Sequence, residues 1–184
     1  STVANDVTAT IYGGNGTDSI TLFGLTTNSL ARGDDGADSI DVTNGAITAS
    51  SINGNAGNDT ITLANGNAQT LTNSTIYGGN GNDLINETTV ITLATSTIRA
   101  DDGDDTITLT LAGANAVSSQ INGNAGADSI TLTGAATAAT AATSTSVNGG
   151  TGVDTIILGN VGQVLRVNGD AGNDSVQVIA ALTG

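Results

Sequence analysis

The chain has 184 residues and a formal net charge of −14, from 3 cationic side chains against 17 acidic ones, and it contains no His, Cys, Pro, Met or Trp. The cations are Arg32, Arg99 and Arg166. That balance argues against nucleic acid or an anionic membrane surface as partner, since both polyanions need Lys and Arg contacts, and it points to cations instead. No apolar run approaches the length of a membrane-spanning helix, so no membrane insertion is expected, and without cysteine no disulfide staples the fold.

Residues 1–10 read as a leading half-coil, because Ala4-Asn5-Asp6 resembles the tail of a phrase that follows in full at Gly13-Gly14-Asn15-Gly16-Thr17-Asp18. Residues 11–184 read as one repeat domain. The phrase returns eight times, starting at Gly13, Gly33, Gly54, Gly78, Ala100, Gly123, Gly149 and Gly169. Its fourth residue is Gly16, Gly36, Gly57, Gly81, Gly103, Gly126, Gly152 or Gly172, and it closes on Asp18, Asp38, Asp59, Asp83, Asp105, Asp128, Asp154 or Asp174. Of the 16 aspartates, 14 sit inside these phrases, a placement that disorder does not explain. A self-similar period of 20 to 26 residues predicts a solenoid of about eight coils.

Each phrase is flanked by apolar residues at fixed offsets. One precedes it (Ile11, Ala31, Ile52, Ile76, Ile98, Ile121, Val147, Val167), and alternating ones follow it, as in Ile20/Leu22 and Ile61/Leu63. Period-two alternation with β-branched residues predicts short strands that stack their inward side chains into ladders about 4.8 Å per rung. The Thr- and Ala-rich linkers, such as 23–29 and 134–146, are expected to form the remaining sides of each coil. In the fourth coil Glu87 stands where the others have Leu or Val. The 24-residue spacing from Asp59 to Asp83 favours a bulge that turns Glu87 outward over a metal or arginine contact.

The phrases come in three kinds that cycle along the chain. Asp34-Asp35 and Asp101-Asp102 mark the acidic kind, Asp170 stands in the third example, and the arginines fall 67 and 67 residues apart just ahead of it. Arg32 and Arg99 are expected to neutralise the adjacent acids weakly, by about 0–1 kcal/mol for exposed pairs.

Stacked closing aspartates would lie about 5 Å apart, and even in water each neighbouring pair costs about 0.8 kcal/mol. A divalent cation between successive loops converts that repulsion into a cross-link. With oxygen donors alone, the chemistry selects Ca²⁺ over transition metals and over Mg²⁺. Expected ligands are Asp18, Asp34, Asp35, Asp38, Asp59, Asp83, Asp101, Asp102, Asp105, Asp128, Asp154, Asp170 and Asp174. Carbonyls would come from Gly13, Gly16, Gly33, Gly36, Gly54, Gly57, Gly78, Gly81, Gly103, Gly123, Gly126, Gly149, Gly152, Gly169 and Gly172.

The stretch Gly13–Thr21 fits Gly-Gly-x-Gly-x-Asp-x-apolar-x and resembles the nonapeptide of the RTX (haemolysin-type calcium-binding) repeat family, as do 78–86 and 149–157. The other five phrases replace a neighbouring Gly by Asn or Asp, and Ala100 replaces the first Gly. The resemblance implies an all-β, right-handed parallel β-solenoid (β-roll or β-helix) holding several Ca²⁺ ions in a row between coils. It also implies a secreted protein that folds on meeting calcium. Here one phrase serves each coil of about 22 residues, where the family uses two per coil of about 18, so a single metal row and a wider cross-section are expected.

Three functions compete. An extracellular structural rod of a filament, surface layer or adhesin stalk, self-associating head to tail or continuing a longer repeat array, suits the open-ended stack. A calcium-dependent module for ice or glycan is the second, but ice wants a regular Thr or Asn row and the row Asn15, Asp35, Ala56, Asn80, Asp102 is irregular. A β-helix polysaccharide-degrading enzyme is the third; nothing singles out a catalytic pair of carboxylates, and the expectation is no enzyme.

Overall fold

Alternating Ile, Leu and Thr residues set the strands, and each coil lays its strands directly on those of the previous one. The computed structural model describes residues 2–4, 8–23, 26–43, 45–63, 66, 68–112, 118–134, 145–159 and 165–179. Within them the chain is an all-β parallel solenoid. One sheet has eight strands, one per phrase, from Thr10–Asn15 to Leu165–Ala171. A second sheet of 13 strands forms the other walls. Its first arm holds the strands after each phrase, such as Ser19–Phe23, Ser39–Thr43 and Thr60–Leu63. Its second arm holds Thr26–Thr27, Ile47–Thr48, Gln69–Thr72 and Ile91–Ala94, so the first four linkers build a third side. The long strand Thr106–Leu111 joins the arms by pairing Leu111 with Ile91.

Register is unbroken along both sheets, which turns equal sequence positions into ladders. Ile11, Ala31, Ile52, Ile76, Ile98, Ile121, Val147 and Val167 form one; Ile20, Ile40, Ile61, Ile85, Ile107, Ile130, Ile156 and Val176 form another. Most are fully buried, and Ile47, Leu71 and Leu93 close the core from the third side. Each buried Ile or Leu contributes about 1.5–3 kcal/mol, which a single coil could not collect without a neighbour to cover it.

At the start, Thr2–Ala4 pairs with Ser19–Phe23. Asn5 and Asp6 of the leading half-coil lie outside the described residues, as do 135–144 and 180–184.

Glu87 departs from expectation. It stays in register opposite Leu63 rather than bulging from that pairing, while on the other side the pairing ends one residue earlier, at Asn86 with Thr108. Its Oε1 accepts the Thr110 N–H at 2.7 Å, a charge-assisted bond that holds the side chain at the wall. Its Oε2 is buried without a hydrogen-bond partner.

Candidate metal centre

The phrase is not all loop. Its first three residues continue the strand, and the turn begins at the fourth. The second position takes left-handed backbone angles whatever its residue: φ is 101° at Gly14, 75° at Asp34, 79° at Asn55 and 78° at Asp101. Asn and Asp are the non-glycine residues that tolerate this region, so these replacements keep the loop shape. They also pair across coils. Asn55 Nδ2 donates to Asp34 Oδ1 at 3.0 Å, and Asn124 Nδ2 to Asp101 Oδ1 at 2.7 Å. The three-coil cycle of Gly, Asp and Asn at this position thereby gives each of these two acids an amide neighbour.

The fourth position admits only glycine for a different reason. At Gly36 φ is 132°, and a Cβ there would lie 2.0 Å from the carbonyl oxygen of Gly16 in the coil before. The same collision recurs at Gly57, Gly81, Gly103, Gly126, Gly152 and Gly172. Backbone stacks on backbone, which carries the row of turns at coil spacing.

The closing aspartates form a second ladder. The Asp18 N–H donates to Asp38 Oδ1 at 2.7 Å, Asp38 to Asp59 at 2.7 Å, Asp59 to Asp83 at 2.7 Å and Asp83 to Asp105 at 2.7 Å. The series continues through Asp128 and Asp154 to Asp174. One oxygen of each carboxylate from Asp38 to Asp174 is thus spent on the coil before. The other has nothing: Oδ2 of Asp18, Asp38, Asp59, Asp83, Asp105, Asp128 and Asp154 is buried without a hydrogen-bond partner.

What surrounds that oxygen is informative. The point where a Cβ on Gly33 would sit is 2.2 Å from Asp38 Oδ2 and 2.7 Å from the Gly54 carbonyl oxygen of the next coil. The equivalent point on Gly123 is 2.2 Å from Asp128 Oδ2 and 2.4 Å from the Gly149 carbonyl. Two acceptors converge with no donor between them. Burial therefore raises these groups: Asp83 is pushed up to about 7, Asp128 to about 7 and Asp105 to about 6, with neighbouring carboxylates adding to the rise. Asp59 is raised for the same reasons.

An all-oxygen set of orphaned carboxylate and carbonyl oxygens fits a hard cation. It does so without a carboxylate cage, since no three Asp or Glu side chains among the described residues converge to hold a metal. One acid per coil must be complemented by backbone oxygens. Asp35 and Asp102 stand apart from this row, exposed at the phrase's third position. Asp170 lies beside Asn168, which donates to it. The Arg32 guanidinium, expected beside Asp34 and Asp35, lies over the Tyr12 ring, 6.0 Å from its centroid.

Sequence reasoning missed a matching ladder at the corner that leads into the phrase sheet. The Ser29 N–H donates to Ser50 Oγ at 3.0 Å, Ser50 to Ser74 at 3.2 Å, Ser74 to Ser96 at 3.1 Å and Ser96 to Ser119 at 3.1 Å. Its signal was available: a Ser two residues before the buried apolar position in Ser29-Leu30-Ala31, Ser50-Ser51-Ile52 and Ser74-Thr75-Ile76.

Among known proteins, the model of the RTX calcium-binding nonapeptide repeat matches in 4 copies, over residues 49–69, 72–86 and 96–109. No curated protein and no solved structure matches the chain. No helix among the described residues is long and apolar enough to cross a membrane.

Proposed function

We propose, from the match to the RTX calcium-binding nonapeptide repeat over residues 49–69, 72–86 and 96–109, that the chain is an extracellular, calcium-stabilised β-solenoid rod of RTX type. Its part is structural: a segment of a filament, surface layer or adhesin stalk, able to continue head to tail into a second copy or into neighbouring repeats. The observation that carries the reading is the column of seven buried Asp Oδ2 atoms without partners, one per coil.

In this reading Asp18, Asp38, Asp59, Asp83, Asp105, Asp128, Asp154 and Asp174 hold a row of Ca²⁺ ions together with glycine carbonyls of the phrases. The bound ion supplies positive charge where only acceptors meet. The chain's own residues do the rest. The glycine column sets the coil spacing, the Oδ1 ladder fixes each carboxylate's orientation, and the apolar ladders exclude water from the inner side. Asp34 and Asp101, whose Oδ1 atoms already accept asparagine amides, are secondary candidates. Extracellular calcium then acts as the folding signal, because an ion that binds only the folded stack stabilises it by mass action.

Far-ultraviolet circular dichroism during calcium titration and chelator reversal tests this. The expected result is a reversible gain of β signal that Mg²⁺ reproduces weakly. A full β signal in chelator at neutral pH, unchanged by calcium, would sink it. Electron microscopy of the same samples tests the rod: monomers alone at saturating calcium would remove self-assembly and leave the module of a longer array.

A further inference from the structure

Every cation of this chain, and both of its tyrosines, stands on one face. On the outward side of the eight-stranded sheet, register aligns Tyr12, Arg32, Asn53, Tyr77, Arg99 and Asn122 in a single column. Asn148 and Asn168 continue it, and Arg166 projects two residues along the strand from Asn168. All three arginines are exposed and Tyr12 is 55% exposed, Asn53 and Tyr77 are half-buried, and Asn122 is buried with its Oδ1 accepting the Asn148 amide. Tyr12 and the arginines are not part of the core. A chain of net charge −14 has nonetheless collected its few cations along this line.

The column has an order. Tyr12 with Arg32 recurs one three-coil cycle later as Tyr77 with Arg99, each pair on adjacent strands, and an asparagine follows each. Coil stacking holds the Arg32 guanidinium over the Tyr12 ring, so its orientation is fixed before any ligand arrives. Asn53 Oδ1 accepts the Asn55 N–H at 3.0 Å, which leaves the two amide hydrogens of Asn53 as donors.

We propose that this column is a docking track for an extended acidic polysaccharide lying along the solenoid axis. Each element matches one part of such a ligand. A tyrosine ring packs against the apolar face of a pyranose, an asparagine amide donates to hydroxyls, and an arginine takes a carboxylate or sulfate through its fork of N–H groups. The rung spacing of about 4.8 Å is close to the rise of one sugar in an extended pyranose chain. The Tyr12–Arg32–Asn53 set therefore spans three sugars over roughly 14 Å, and Tyr77 with Arg99 offers a second ring and a second guanidinium one cycle on. Near the last coil, a pocket of about 360 Å³ between Ser146, Asn148, Arg166, Val167 and Asn168 offers room for a substituent beside the track. Asp35 and Asp102 lie three residues along the strands from Arg32 and Arg99 and would repel the same ligand, and calcium bound in the neighbouring aspartate row lowers the negative field of the whole stack without touching these two acids.

The inference relies on the calcium reading only for an intact stack, and circular dichroism on every sample separates the two. Binding of the calcium-loaded protein is measured against hyaluronan (carboxylate), heparin (sulfate), dextran (neutral) and single-stranded DNA. At least one acidic polysaccharide should bind about tenfold or more tighter than dextran and weaken as salt rises. Arg32→Gln with Arg99→Gln should lose about tenfold or more with an unchanged β signal, and Tyr12→Ala with Tyr77→Ala should weaken binding to all sugars. Undiminished binding by the arginine variant would mean that bound calcium bridges the polyanion, and it overturns the track. So would equal binding of dextran, tighter binding of DNA, or no binding to either acidic chain.

Discussion

At the corner entering the eight-stranded sheet, Ser50 Oγ accepts the Ser29 N–H of the coil before; at the corner leaving it, Asp59 Oδ1 accepts the Asp38 N–H in the same way. Both ladders satisfy a buried backbone donor that the turn would otherwise orphan. They differ in what is left over. Serine spends its own hydrogen on a carbonyl two residues back, Ser50 on Thr48 at 2.9 Å and Ser74 on Thr72 at 2.9 Å, and is complete. Aspartate is left with a second, buried oxygen facing another acceptor. A turn that needed only a cap would use serine, or asparagine whose amide would donate to that carbonyl. The acid at all eight corners makes sense when something positive joins it.

Chelation is the largest way to break the symmetry of the two corners. Removing calcium at pH 7.5 should cost most of the β signal, because all seven orphaned oxygens lose their counter-charge together while the serine corner is untouched. Retention of the fold would show that the aspartate corner needs no partner.

Protons should substitute in part for the ion. Asp83, Asp105 and Asp128 are raised to about 7, 6 and 7 from an ordinary 3.8, so between about pH 4 and 7 the folded chain binds more protons than the unfolded one. Stability of the ion-free chain therefore falls as pH rises through that window and is lowest above it. Chelated samples should regain β signal and a measurable Tm on going from pH 8 to pH 5, and calcium should abolish or invert the difference. A chelated chain that loses stability on going from pH 8 to pH 5 contradicts the assignment.

Asparagine sharpens the comparison further. Asp83→Asn with Asp105→Asn keeps the Oδ1 cap and puts an amide where Oδ2 meets the next carbonyl. Each change should stabilise the ion-free chain by about 1 kcal/mol, the net worth of a hydrogen bond, and more where buried charge is removed. The same variant should bind fewer calcium ions by calorimetry. Opposite signs with and without calcium are the expected signature; a loss in both states would make the aspartates structural only.

How much of this was legible depended on period. Asp18 to Asp174, the Ile and Leu ladders and the glycine column repeat at one offset, so stacking alone places them. Ser29, Ser50 and Ser74 repeat just as strictly but are buried in Thr- and Ser-rich linkers, where one hydroxyl residue looks like another. Arg32 misled in another way: its neighbours in sequence are Asp34 and Asp35, yet the left-handed backbone at Asp34 breaks the strand's alternation, Asp34 Oδ1 takes the Asn55 amide, and the Arg32 guanidinium lies over Tyr12 on the adjacent strand. Glu87 shows the same limit. The 24-residue spacing suggested a bulge, but the pairing with Leu63 holds.

On the neutral side, Ser74→Ala removes the acceptor of the Ser50 N–H and leaves that buried donor alone, at a cost of about 1–3 kcal/mol. Calcium affinity per ion should not move, since no phrase residue changes. A change in calcium stoichiometry would mean the two corners communicate through the coil.

The smallest effect is expected at Glu87→Leu, and it arises from two opposed changes. Leucine would complete the ladder between Leu63 and Leu109 and remove the unpartnered Oε2, a gain of about 1.5–3 kcal/mol if fully buried. Against that, the Thr110 N–H would lose its charged acceptor, and a bond to a charged group contributes about 1.5–3 kcal/mol. The ranges coincide, so the net should fall within about 1 kcal/mol of zero, at the resolution of a denaturant melt. A loss well beyond that, recovered by Glu87→Gln, would show that the carbonyl-type acceptor at Thr110 outweighs the apolar rung. The wall of the solenoid would then have a polar corner of its own, closer in kind to serine than to aspartate.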